Sequence, residues 1–155
     1  MMTLHAIDPG PVKSAMVTIW PDGRVEAHTM PNEDIRALVA TAAPGRLVIE
    51  MIASYGMGVG TEVFETCVWI GRFLETWERQ GVHRLPAERL TRIQVKSAIC
   101  HSANAKDKNI RQALIDHYGG PACIRKGGAL YKVKADEWAA LAVGVTALNT
   151  QNEGM

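Results

Sequence analysis

The chain has 155 residues, a formal net charge of +1 and 47% hydrophobic residues, which fits one folded domain and excludes a disordered chain. No apolar run approaches the roughly 20 residues of a membrane-spanning helix, and no basic stretch leads into an apolar one near the start, so no secretory signal is expected. Three cysteines without metal-ligand spacing favour reduced thiols and a cytoplasmic location.

The small net charge conceals a basic segment. Residues 1–78 carry five basic and ten acidic side chains, whereas residues 79–134 carry twelve basic and three acidic ones. Residues 135–155 add three acidic side chains and no basic one. A basic segment suits a polyanion such as nucleic acid, because each phosphate contact releases a counterion. An ordinary solvated surface explains the same pattern equally well, so charge alone leaves the partner open.

The opening third of the chain predicts short strands joined by tight turns. Apolar runs alternate with the turn sequences Asp8-Pro9-Gly10 and Pro21-Asp22-Gly23, which are typical of a meander. Three antiparallel strands are therefore expected, at residues 4–7, 16–20 and 24–29. A helix is expected from Asn32 or Glu33 to Pro44-Gly45. The wholly apolar run Leu47–Ile49 then predicts a strand that is buried on both faces.

The rest of the chain alternates helical periodicity with short apolar runs. We expect a glycine-rich loop at 53–60, a helix from about Thr61 to Arg79 and a strand at 82–85. Further helices are expected at 87–99, 107–118 and 135–148. The pattern predicts a single α/β domain over residues 1–150, with a mixed sheet that opens with the antiparallel meander and is flanked by helices. Residues 151–155 are predicted to form a disordered tail.

Three acidic residues stand where predicted elements begin or end. Asp8 follows the first strand, Glu50 ends the apolar strand and Asp136 opens an apolar helix. A buried carboxylate is unfavourable unless it is paired or binds a metal. Carboxylates that converge without cysteine or histidine favour Mg²⁺ or Mn²⁺, and a pair of such ions is a common device for hydrolysis at phosphorus. Taken singly, each acid is equally well explained as a turn or helix cap or as an ion-pair partner.

The segments that carry these acids resemble the RuvC-type crossover junction endonucleases of the ribonuclease H-like superfamily. They are AIDPGPVKSA at 6–15, LVIEM at 47–51 and KADEWAALAVGVTAL at 134–148. Two others, TEVFETCVWIGRF at 61–73 and AKDKNIRQALIDHYG at 105–119, resemble the phage and prophage branch. The resemblance implies a ribonuclease H-like fold and a homodimer that cuts four-way Holliday junctions, and other branched DNA, to leave 5′-phosphate and 3′-hydroxyl ends. A phage-encoded chain would act in the host cytoplasm.

The resemblance also implies roles for individual residues. Asp8, Glu50 and Asp136 match the catalytic, metal-binding acids, with two Mg²⁺ or Mn²⁺ ions per site and no small-molecule cofactor. The cellular proteins carry a further aspartate one helical turn after the last acid, where this chain has Ala139, and either Asp107 or Glu137 could replace it. The candidates for DNA contact are Tyr55, Lys96, Lys106, Lys108, Arg111, Lys132 and Lys134. For each of these, an ordinary surface position is the competing interpretation.

Other interpretations stay open at this point. Trp69, Phe73 and Trp77 share a helix and are expected in the core or, in a dimer, partly at its interface. The absent acid at Ala139 is compatible with a structure-selective DNA-binding protein that has weak or lost catalysis. The basic segment does not distinguish DNA from RNA, so an RNA-directed nuclease of the same superfamily is also compatible. The length disfavours a two-lobed sugar-kinase-like ATPase.

Overall fold

In the computed structural model, which describes residues 1–81 and 84–153, five strands form one sheet in the order β3-β2-β1-β4-β5. The strands are β1 (Thr3–Asp8), β2 (Lys13–Ile19), β3 (Val25–Pro31), β4 (Gly45–Met51) and β5 (Glu88–Thr91). The helices are α1 (Asn32–Thr41), α2 (Thr61–Glu78), α3 (Arg92–Cys100), α4 (Asp107–His117) and α5 (Glu137–Glu153), with a 3₁₀ turn at Pro121–Ile124. The antiparallel meander β1-β2-β3 is as predicted, and β4 and β5 join it by parallel pairing. The predicted α/β class and mixed sheet are therefore confirmed.

Alternation along the strands divides the core into two layers. In β1, Leu4 and Ala6 pack on the side of α5, while Ile7 packs on the side of α1 and α2. In β4, Val48 packs on the α5 side. Successive strand residues point to opposite faces, so Asp8 and Glu50, which continue the α5-facing series, lie on the same face of the sheet.

Helix α5 lies close against the sheet at Gly144. A Cβ atom on this residue would lie 3.1–3.2 Å from the side chains of Ile19, Ala6 and Leu4, closer than ordinary van der Waals contact. The small residue lets the helix approach the strands, and this places the start of α5 beside their ends.

Residues 84 and 85 of the strand predicted at 82–85 are not in a strand, and residues 88–91, which were predicted to be helical, form β5. The strand predicted at 82–85 includes residues 82 and 83, which lie outside the described residues, and the described strand β5 begins only at Glu88. The helix predicted from Ala87 accordingly begins at Arg92. Strand β5 is short and mostly polar, with no alternation of apolar residues. Its extended conformation therefore depends on pairing with β4 rather than on its own sequence. Its Glu88 carboxylate accepts hydrogen bonds from the buried Arg46 of β4 at 2.9 and 2.8 Å.

The chain's last helix differs from its prediction at both ends. Helix α5 begins at Glu137 and runs to Glu153, so residues 151–153, which were expected in a disordered tail, are helical. Residues 154 and 155 lie outside the described residues. Across residues 1–81 and 84–153, no helix combines the length and the apolar character needed to cross a bilayer.

Helix α2 buries most of its aromatic side chains. Phe73 and Trp77 are fully buried in the layer that contains Ile7, and Trp69 is partly buried beside Phe73. The apolar side chains that α2 leaves exposed are different ones, Phe64 at 61% and Val68 at 48%. Phe73 and Trp77 therefore belong to the core rather than to an interface.

Candidate active site

Asp8 and Glu50 lie side by side at the ends of adjacent parallel strands. Ile7 of β1 is in register with Ile49 of β4, so the two acids occupy the next position on strands that run about 4.8 Å apart. Both are partly buried, and the Glu50 side chain is only 13% exposed. The apolar strands that precede them position two carboxylates on the α5 side of the sheet.

A hydrogen-bonded turn holds the backbone directly after Asp8. The buried Asn32 side chain donates from Nδ2 to the Gly10 carbonyl (2.9 Å) and accepts at Oδ1 from the Ser14 hydroxyl (2.6 Å). The Gly10 N–H donates to the same hydroxyl at 3.1 Å. Glycine is required at this point, because a Cβ atom would lie 2.4 Å from the Lys13 carbonyl oxygen. The turn therefore anchors the end of β1 that carries Asp8.

Asp136 reaches the same region from the start of α5. Its carbonyl oxygen accepts hydrogen bonds from the N–H groups of Ala139 (3.1 Å) and Ala140 (3.2 Å), as expected of a residue at a helix N-terminus. The preceding Ala135 has φ +48°, a left-handed conformation that is uncommon for residues other than glycine. The turn into α5 therefore occurs directly before the acid, whose side chain is exposed to solvent.

The three acids line a single cavity of about 160 Å³, here called the acidic cavity. It also contains Asp107 and Arg92. Burial and the negative charges of Glu50 and Asp136 raise the pKa of Asp8 to about 8. Burial also raises the pKa of Glu50, although the Arg92 guanidinium opposes this change. Carboxylates that repel one another in this way are stabilised by a proton or by a bound cation.

The acidic cavity offers ligands of the type that a hard divalent cation prefers, namely carboxylate oxygens from separate segments of the chain. Within residues 1–81 and 84–153, no group of three or more His, Cys, Asp or Glu side chains is gathered closely enough to hold a metal ion as it stands. The acids therefore fit Mg²⁺ or Mn²⁺ by donor type and because they line one cavity. They would have to move closer together to bind one ion through three carboxylates.

The two candidate replacements for the acid absent at Ala139 lie in different places. Ala139 itself lines the acidic cavity, and so does Asp107. Glu137 is 1% exposed and accepts hydrogen bonds from the Thr29 hydroxyl (2.7 Å) and the Lys134 N–H (3.2 Å). Glu137 thus connects β3 to the start of α5, and Asp107 is the fourth acid at the cavity.

Arg92 is a residue of the site that sequence reasoning missed. Its Nη1 lies 3.6 Å from Glu50 Oε1, and its Nη2 contacts Asp107 Oδ1. Because Glu50 is in register with Leu90 of β5, the residue two positions further on lies close to the end of β4. A basic residue directly after β5 would have indicated this contact. The sequence analysis included residues 88–91 in a helix, so Arg92 was not recognised as lying at the end of a strand.

Tyr55 lies in a second cavity that adjoins the acids. This cavity, of about 220 Å³, shares Asp8, Glu50 and Arg92 with the acidic cavity and adds apolar residues that include Ile52. The Tyr55 side chain lies on the predicted glycine-rich loop and is 57% exposed. An aromatic side chain is therefore available to a ligand that also meets the acids.

The six basic residues predicted to contact DNA differ in how they relate to the acidic cavity. The Arg111 guanidinium lies 4.7 Å over the ring of Trp138, which lines the acidic cavity. Lys106 directly precedes Asp107, and Lys134 lies two residues before Asp136. The others are Lys96 on α3, Lys108 on α4 and Lys132 in the loop before α5. Of the seven predicted DNA-contact residues, only Tyr55 lines either cavity, and none of the six basic residues does.

A more voluminous cavity, of about 520 Å³, lies elsewhere in the described part of the chain. It lies between α3, α4 and α5 and is lined by residues that include His101, His117 and Asn149, but by none of the four acids. The carboxyl groups with raised pKa values, Asp8 and Glu50, line the smaller acidic cavity. Because perturbed pKa values are common at functional sites, we take the acidic cavity rather than the more voluminous one as the candidate site.

No protein-family model and no curated protein matches the sequence, but solved structures resemble the fold. Thermus thermophilus RuvC has a TM-score of 0.71 and 17% identity, and T. thermophilus RuvC in complex with Holliday junction substrate has a TM-score of 0.72 and 18% identity. Each comparison covers 99% of this chain and 97% of the other. At this identity the likeness concerns the fold, and the described chain therefore has the ribonuclease H-like fold of RuvC.

Proposed function

We propose that this chain is a metal-dependent endonuclease that recognises and cuts four-way DNA junctions and other branched DNA. The observation that carries the proposal is the meeting of Asp8, Glu50 and Asp136, from three distant segments, on one cavity. The fold supports it, because one similar structure is RuvC bound to a Holliday junction substrate. The site would act in the cytoplasm, that of the host if the chain is phage-encoded.

The three acids would hold Mg²⁺ or Mn²⁺, with two ions per site. Such ions activate water for in-line attack at phosphorus and stabilise the charge on the leaving oxygen. The chain's own contribution is to fix two ligands at strand ends and a third at the start of a packed helix, so that they keep their places when the DNA is bound. Hydrolysis at this site would leave 5′-phosphate and 3′-hydroxyl ends.

The surroundings of the acids suit a DNA backbone and an opened base pair. Arg111 lies over the Trp138 ring at the cavity, and Lys106 and Lys134 lie within two residues of cavity acids. We propose that these side chains contact phosphates and that Tyr55 stacks on an unpaired base, an interaction worth roughly 1–3 kcal/mol. Lys96, Lys108 and Lys132 are proposed as more distant backbone contacts.

We propose that two copies form the active assembly, because a four-way junction presents two equivalent strands to be cut. The exposed side chains of Phe64 and Val68 lie four residues apart on α2, so they share one face of the helix. Gly71 continues this face, and the space around it is open. An exposed apolar stripe with a small residue suits contact with a second copy of the same helix.

A second candidate function is junction binding without cleavage. Ala139 lies in the acidic cavity, where the resemblance leads one to expect a further aspartate. If three acids do not suffice to hold the catalytic ions, the protein would bind branched DNA and leave it intact.

A strand-resolved nicking assay separates these functions. Purified protein is incubated with a mobile four-way junction or an identical linear duplex, in Mg²⁺, Mn²⁺ or EDTA. Asp8→Asn tests the site, and the exposed Asp22→Asn is a matched control of the same chemistry outside the cavity. Paired, metal-dependent nicks near the branch point that are lost only in Asp8→Asn support the nuclease. Tight junction binding without product supports the second candidate, and equal binding of junction and duplex contradicts both.

A further inference from the structure

Arg92 is a positive charge built into the acidic cavity. Arg92 is the first residue of α3, and the preceding residue, Thr91, caps this helix through two hydrogen bonds with Gln94. The Thr91 N–H donates to Gln94 Oε1 (2.8 Å), and the Gln94 N–H donates to Thr91 Oγ1 (3.3 Å). This capping box holds the first turn of α3. The Arg92 side chain is 39% exposed and reaches Glu50 on one side and Asp107 on the other.

The two partners of Arg92 differ in exposure. The Glu50 side chain is 13% exposed, whereas that of Asp107 is 85% exposed. Asp107 thus lies at the rim of the cavity, where water screens its charge. Glu50 lies inside, where a neighbouring charge acts more strongly because the effective dielectric constant is lower. The exposed carboxylate of Asp107 thus contacts the Arg92 guanidinium, which lies beside the less exposed carboxylate of Glu50.

We propose that Arg92 is a positioning residue whose fixed charge beside Glu50 weakens divalent-cation binding in the DNA-free protein, and that Asp107 acts by anchoring Arg92 rather than as a fourth metal ligand. The inference rests on the proposed function in one respect, since it takes the acidic cavity as the cation site. A divalent cation at Glu50 meets repulsion from the guanidinium, so loss of Arg92 tightens cation binding. Loss of Asp107 frees Arg92 to pair more closely with Glu50, which weakens cation binding.

The test is a double-mutant cycle on metal affinity, measured by calorimetric titration of Mn²⁺ into DNA-free protein. Arg92→Gln should bind the first Mn²⁺ at least fivefold more tightly than the parent, while Arg92→Lys, which keeps the charge, should stay within about twofold. Asp107→Asn should weaken binding two- to fivefold in the parent and much less in the Arg92→Gln background. Asp116→Asn, an exposed change on the same helix, controls for general charge.

Each outcome bears on one part of the proposal. Unchanged or weaker Mn²⁺ binding in Arg92→Gln overturns the role of Arg92, and Arg92→Met repeats the test should the first variant fail to fold. Equal weakening by Asp107→Asn in both backgrounds makes Asp107 a ligand and overturns its anchoring role. If Asp8→Asn leaves Mn²⁺ affinity unchanged, the cavity is not the cation site. In that case the proposed function fails, independently of how Arg92 behaves.

Discussion

The cost of keeping Asp8 in the metal-free cavity is open to direct measurement. We predict that Asp8→Asn stabilises the protein in EDTA, even though it removes a proposed metal ligand. The asparagine mimics a protonated carboxyl group and can donate a hydrogen bond to Glu50, but it carries no charge to repel Glu50 and Asp136. In the metal-free state the native acid therefore destabilises the fold, which is the reverse of most changes in a packed site.

The sign and size follow from the pKa. The carboxyl group of Asp8 titrates at about 8 in the folded chain, against a usual value of 3.8. The folded state therefore holds a proton that the unfolded state has already released, and stability falls as the pH rises from about 4 to 8. Each pH unit in this window removes at most about 1.4 kcal/mol per proton, which gives an upper bound of about 6 kcal/mol. We expect on the order of 2 kcal/mol, because the acids titrate as a coupled group and the cavity is open to solvent at the exposed side chains of Asp107 and Asp136.

The assay is urea unfolding of the parent and the variant at several pH values between 4 and 9, in EDTA. The gain from Asp8→Asn should be close to zero at pH 4 and should reach its maximum near pH 8, where 2 kcal/mol corresponds to about 4–8 °C in melting temperature. Asp22→Asn is a control with the opposite sign, because the Arg24 N–H lowers the pKa of that exposed carboxyl group. A pH-independent gain, or a loss at pH 8, would refute the electrostatic reasoning.

Three further predictions concern the supports of the site. Glu137→Ala should lower the free energy of unfolding by about 1–3 kcal/mol, since it removes a buried carboxylate that accepts hydrogen bonds from Thr29 and Lys134; Glu137→Gln should retain most of the stability, and equal losses in urea unfolding would contradict the hydrogen-bonding role. Asn32→Ala should cost a similar amount, about 1–3 kcal/mol, and should reduce nicking more than junction binding, because it loosens the turn after Asp8. Nicking at the parent rate by the folded variant would show that this turn does not position the acid. Val68→Glu should convert a dimer into a monomer in sedimentation velocity, because it places a charge in the apolar stripe beside Phe64; a parent protein that is already monomeric contradicts the proposed interface.

The sequence predicted those helices and strands that have a clear apolar pattern within their own residues. The meander, α1, α2 and α4 were expected within a few residues of their observed bounds, because apolar periodicity and turn residues lie within each segment. Asp8 and Glu50 were predictable for the same reason, since an acid at the end of an apolar strand is conspicuous. Their position on one face also follows from the two-residue repeat of a strand.

The remaining features depend on contacts between distant segments. Strand β5 carries little apolar alternation and is defined by pairing with β4, so the sequence placed it too early. That error hid Arg92, whose proximity to Glu50 depends on the register of β5. The positions of Asp107 and Glu137 relative to the cavity were likewise not predictable from spacing. Asp107 contacts Arg92 at the start of α3. Glu137 is buried and accepts a hydrogen bond from Thr29, which is 108 residues away in sequence.

The absence of an acid at Ala139 does not by itself favour binding over catalysis. Asp107 is a fourth carboxylate at the cavity, but it contacts Arg92, and we propose that it anchors this arginine rather than binding a metal. The cavity nevertheless remains short of positive charge, since Asp8 keeps a pKa of about 8 with Arg92 already in place. Burial is the largest cause of this raised pKa, and repulsion from Glu50 and Asp136 adds to it. A divalent cation bound between the carboxylates would relieve the repulsion, which is the part of the shift that a metal titration followed at several pH values would detect.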